Sequence, residues 1–99
     1  MIRHLVLFRF RAELPAAQVE EAIAAFRALQ WAIDAVKAFE DGTNVSPEGL
    51  TQGYTHAFLL GFDTADARDA YLEHPAHKAF VAYIQPLLQE ALVFDWKRA

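Results

Sequence analysis

The order of apolar patterns along the chain predicts an α+β domain of ferredoxin-like βαββαβ topology, a four-stranded antiparallel sheet with helices on one face. Two observations carry this reading. Ile2–Phe10, Tyr54–Phe62 and Leu92–Trp96 are short apolar runs with strand alternation. Helical stripes fill the intervals after the first run and before the last. With 99 residues, the chain fits one domain over 1–99.

The first strand shows an unusual alternation. Ile2, His4, Val6, Phe8 and Phe10 occupy one side, and Arg3, Leu5, Leu7 and Arg9 the other. A strand with one wet face would be polar on one side, so both sides are expected to be covered. Pro15 suits a first helical position, where its missing N–H costs nothing. From there to about Gln30, Val19, Ala22, Ile23, Phe26 and Leu29 form one apolar stripe. Val36–Glu40 reads as a short second strand, with Asp41-Gly42 as its punctuation. Thr43–Gly53 reads as a long loop.

Tyr54–Phe62 is the third strand, again apolar on both sides. Thr64 is a candidate cap for a short helix from Ala65 to about Leu72. A residue before proline leaves helical geometry, so His74-Pro75 restarts a helix, with Phe80, Val81, Ile84, Leu87 and Leu88 as its apolar side. Pro86 ends or kinks it, and Leu92–Trp96 closes the sheet.

Composition narrows the function classes. Hydrophobic residues make up 55% of the chain, an excess that points to apolar surface needing a partner. The net charge of -4 and the lack of any Lys/Arg run argue against nucleic acid as a partner. Cysteine is absent, which removes thiolate nucleophiles and disulfides. No apolar run approaches a membrane span and no signal-peptide pattern is present, so a cytoplasmic location is expected. Helices on one sheet face leave the other bare. His4, Val6, Phe8, Phe10, Phe58 and Phe62 are among the residues expected to point there. The physical remedy is a second copy laid sheet against sheet, a homodimeric barrel.

Four histidines supply the candidate chemistry, because imidazole titrates closest to neutrality. His4 and His56 share strand parity with apolar neighbours and are expected to face one chamber. His74 and His77 flank the helix restart, with His74 read as structural, capping a helix or facing solvent. Asp95 lies between Phe94 and Trp96, and a carboxylate there needs a partner. His77 is the expected one, with Asp95 orienting its ring and Tyr71 donating to a developing oxyanion. A strand histidine is more often a hydrogen-bonded filler, and the phenylalanines more often core than a binding box. No histidine pair has the spacing of a helical zinc motif, so no metal is expected.

Arg3–Phe10, Gly53-Tyr54-Thr55-His56, the His74-Pro75-Ala76-His77 element within Tyr71–His77, and Leu92–Trp96 together resemble the stress-responsive A/B barrel (Dabb) family over nearly the whole chain. The resemblance implies a dimeric α/β barrel of ferredoxin-like subunits. One branch, the olivetolic-acid type polyketide cyclases, closes a linear polyketide by aldol condensation without a cofactor. By that resemblance His77 is the base, Asp95 its partner, Tyr71 the carbonyl ligand, and His4 and His56 line the site. Phe26 and Phe58 are the expected apolar contacts for a small carbonyl or aromatic compound. A cofactor-free cyclase or lyase is thus the first reading. A non-catalytic ligand-binding or stress-response barrel is the second, and a haem-handling barrel the third.

Overall fold

A computed structural model describes all 99 residues. The elements are β1 (Ile2–Phe10), α1 (Ala16–Ala32), β2 (Ala38–Thr43), β3 (His56–Phe62), α2 (Ala65–Glu73), α3 (Pro75–Ile84) and β4 (Leu88–Lys97). The strands form one antiparallel sheet in the order β2-β3-β1-β4, the ferredoxin-like arrangement expected.

The bounds of β2 and β4 differ from the sequence reading. β2 runs on through Asp41-Gly42 because Gly42 pairs with Ala57 and Thr43 with His56. Asp41 is also clamped to α1, accepting from Arg27 Nε at 2.8 Å and Nη2 at 2.7 Å. β4 begins at Leu88, directly after a 3-10 turn, Gln85–Leu87, that holds Pro86. As expected, the second helical segment is two helices meeting at His74. Its backbone is extended (ψ 136°), as a residue before proline prefers, and its Nδ1 accepts from the Ala76 N–H at 3.0 Å. Thr64 caps α2 by accepting from the Ala67 N–H at 3.1 Å.

The core lies between the sheet and the helices. Ile2, Val6 and Phe8 of β1 and Phe58, Leu60 and Phe62 of β3 meet Ala22, Ile23, Phe26 and Leu29 of α1 and Phe80 and Ile84 of α3. At its centre Phe26 stacks on Phe58 (centroids 4.5 Å apart) and Phe80 (4.7 Å), while Phe8 lies 5.1 Å from Phe58. This corrects the expected parity. The even side of β1 faces the helices, so His4, Val6, Phe8, Phe10, Phe58 and Phe62 are not on the bare face. Helix stripes rich in Phe, Ile and Leu select the more apolar side of the strands.

The bare face is the odd set. Leu5 opposes Leu59 and Phe94, Leu7 opposes Ala57 and Leu92, and Arg3 opposes Trp96. Phe94 is 57% exposed, and Leu92 and Trp96 are exposed beside it on the edge strand. No helix is long and apolar enough to cross a membrane.

Candidate active site

A cavity of about 510 Å3 opens between the β1–β4 half of the sheet and helices α2 and α3. Its walls are mostly apolar, with Phe8, Phe26, Val81, Ile84 and Val93 among them. Its polar groups are His4, Asp95, Arg68, Asp69, Tyr71, His77 and Gln85. A largely apolar cleft with a few convergent polar groups is the usual form of a small-molecule site.

Register explains the first pair. His4 of β1 sits directly opposite Asp95 of β4, so their side chains leave the sheet on the same side. His4 Nδ1 lies 2.7 Å from Asp95 Oδ1. A carboxylate only accepts, so His4 carries its proton on Nδ1. His4 is 5% exposed, yet it has no unsatisfied sealed-off nitrogen, so its unpartnered Nε2 is left to the cavity it lines. The second oxygen of Asp95 accepts from Arg68 Nη1 of α2 at 2.8 Å. Arg68 Nε donates in turn to Asp69 at 3.0 Å.

Here the structure overturns a pairing. Asp95 was expected to orient His77, but it is held by His4 and Arg68. His77 instead places Nδ1 3.1 Å from the Leu72 carbonyl, one turn back across the helix junction. A carbonyl also only accepts, so His77 likewise carries its proton on Nδ1 and keeps a lone pair on Nε2. Burial lowers the His77 pKa, and the neighbouring His4 lowers it further. The Leu72 hydrogen bond opposes both without cancelling them. His77 is therefore neutral at pH 7.

Tyr71 is 1% exposed and its ring centroid lies 4.5 Å from that of His77 and 6.0 Å from that of His4. Burial pushes its phenol well above the ordinary tyrosine range, so it stays protonated and can only act as O–H at neutral pH. The hydroxyl makes no hydrogen bond to the protein and is not sealed off, which leaves it free for a ligand.

Two expected site residues lie elsewhere. His56 has the parity of His4 but pairs with Phe8, four residues along β1 from His4. That separation is about 13 Å along the strand. There His56 meets Phe10 edge-on at 5.2 Å and Thr55 Oγ1 at 2.7 Å, outside the cavity. Phe58 is 1% exposed and stands behind Phe26, which alone of the two reaches the cavity wall. Arg68 was not singled out from the sequence. Its signal is its position three residues before Tyr71, which puts both on one helix face.

These features define a ferredoxin-like α/β domain with an apolar cleft lined by two histidines. The chain belongs to the Stress responsive A/B Barrel Domain family, whose sequence profile it matches over residues 2–98. It is 36% identical over 96 residues to the stress-response A/B barrel domain-containing protein HS1 of Arabidopsis thaliana, covering 97% of this chain and 88% of that one. It is 30% identical over 95 residues to olivetolic acid cyclase of Cannabis sativa, covering 96% and 94%. Among solved structures, a dimeric ferredoxin-like protein of unknown function from Thermobifida fusca matches with a TM-score of 0.81 at 34% identity. That match covers 98% of this chain and 90% of the other.

Proposed function

We propose that the protein is a homodimer that binds a small, largely apolar carbonyl compound in the α2/α3 cavity and removes a proton next to its carbonyl without a cofactor. The observation that carries this reading is the convergence of a neutral His77, its Nδ1–H committed to the Leu72 carbonyl, with the unbonded hydroxyl of Tyr71 at one apolar cavity. A base with its lone pair free and an acid held protonated are the two groups that enolisation needs.

In this reading His77 Nε2 takes the α-proton. The C–H electron pair moves into the developing enolate, and the carbonyl oxygen accepts a hydrogen bond from the Tyr71 O–H. The enolate either recovers a proton from His77 or attacks a second carbonyl of the same molecule, forming the C–C bond of an intramolecular aldol closure while the new alkoxide takes the proton held on His77 Nε2. His4 Nε2 serves as acceptor for a ligand hydroxyl. Asp95 fixes His4 rather than His77 in this scheme. Phe26 supplies apolar wall. The 30% identity to a protein named olivetolic acid cyclase supports the reaction class.

Self-association follows from the bare sheet face, where Leu5, Leu7, Leu59, Leu92, Phe94 and Trp96 stand together. The likeness to a dimeric protein supports the same assembly.

Titration of the 15N-labelled protein with heptan-2-one tests the cavity assignment. Amide shifts are expected at the helix-side lining, around Tyr71, Leu72, His77 and Val81. Shifts confined to Leu5, Leu7 and Leu59, on the opposite sheet face, or no saturable shifts at all, would overturn it.

A further inference from the structure

His4 and His77 both present an unbonded Nε2, but they reach that state differently. His77 is fixed by one backbone carbonyl within its own helix pair. His4 depends on a side chain, Asp95, that is itself 22% exposed and sits on an edge strand. A partly exposed carboxylate on an edge strand is free to rotate toward water unless something holds it. Arg68 does so. It reaches from α2 to β4, and its guanidinium divides between two carboxylates, Nε on Asp69 and Nη1 on Asp95. Asp69 fixes one edge of the planar fork, so the other edge meets Asp95 Oδ2 in a set direction. That leaves Oδ1 aimed at His4 Nδ1.

We propose that Arg68 is a positioning residue. Through Asp95 it locks His4 as the Nδ1–H tautomer, with Nε2 turned to the cavity as an acceptor. Charge argues against the obvious alternative, that Arg68 recognises an anionic ligand. Two carboxylates, Asp69 and Asp95, already surround its single positive charge. The chain Arg68–Asp95–His4 instead places a cation two hydrogen bonds back from an imidazole, the usual way to hold a carboxylate directional. Lysine would not reproduce it, because an ammonium on a flexible stem lacks the planar fork that engages both acids at once.

The inference rests on reading the cavity as the ligand site, but its test needs neither ligand nor turnover. Long-range 1H–15N correlation spectra of the histidine rings distinguish a fixed tautomer from an averaged one. Wild type should show His4 with a protonated Nδ1 and a bare Nε2. In Arg68→Met the two ring nitrogens should move toward a common averaged position, and Arg68→Lys should fall between the two. His77 should keep its wild-type pattern in both variants, which separates a local effect from general loosening of the fold. If Arg68→Met does not fold, Arg68→Lys decides alone. An unchanged His4 pattern in every variant that folds would overturn the assignment. A changed pattern in a protein that binds no carbonyl compound would leave this inference standing and refute the proposed function.

Discussion

His4 and Asp95 lie 91 residues apart in sequence and 2.7 Å apart in space, joined because strands β1 and β4 are neighbours and these two residues are exact cross-strand partners. Asp95 also receives Arg68, so it satisfies two buried or half-buried donors at once. Replacing it strands both. Asp95→Ala is expected to lower stability by about 1–3 kcal/mol, the usual cost of leaving a buried polar group without its partner. Urea denaturation of the two proteins measures it; a difference near zero would mean that the pair is replaced by water at no cost.

The aromatic stack around Phe26 dominates the core. Phe58 touches three other rings in it and is almost fully buried. Phe58→Ala should cost about 3–5 kcal/mol. Domains of this size have about 5–15 kcal/mol in total, so the variant should melt far below wild type. A small loss would show that neighbouring rings collapse into the space.

Stability should fall as pH drops below neutrality. Burial lowers the pKa of both His56 and His77 in the folded chain. The unfolded chain then binds protons that the folded chain refuses, so unfolding is favoured as pH falls. The effect is absent above the unfolded histidine value of about 6.5 and grows as pH falls from there toward the lower folded values. A second loss follows at more acid pH, where Asp41, held below its ordinary value by Arg27, becomes protonated. Thermal melts across pH 8 to 2 follow both, the Asp41 loss falling below its unfolded value of 3.8; a melting temperature flat between pH 7 and 5 would contradict the histidine part.

Sedimentation velocity should give wild type the mass of two chains. Phe94→Glu puts a charge in the middle of the bare apolar face, beside Leu5. It should shift the protein to the mass of one chain while leaving the helix-side core intact. A wild type that sediments as a monomer at micromolar concentration would contradict the dimer.

Much of this architecture was legible in the sequence, for identifiable reasons. The strands of β1 and β3 and the α1 stripe announce themselves through periods of two and 3.6. The Pro75 restart follows from proline sterics alone. The choice of face was not legible. Both sides of β1 are apolar, and only packing against Phe26, Ile23 and Leu29 decides that Val6 and Phe8 turn inward while Leu5 and Leu7 turn out. The candidate site failed at one joint for a similar reason. Asp95 needs a partner, and His77 is the nearest histidine in sequence. Strand register gave it His4 instead, and register depends on Cα pairing that periodicity does not specify. His56 missed the cavity because equal parity puts residues on one face without putting them at one end.

The central claim is that His77 removes a proton from carbon beside a carbonyl held by Tyr71. Its most direct measurement is hydrogen–deuterium exchange at the α-carbons of heptan-2-one in deuterium oxide, followed by NMR with wild type and His77→Ala. Wild type should accelerate exchange over buffer, and His77→Ala should lose about 10²–10⁴-fold of that acceleration with its amide spectrum otherwise preserved, the range general-base catalysis supplies. Exchange as fast in His77→Ala as in wild type, or no acceleration by wild type at all, would contradict the account.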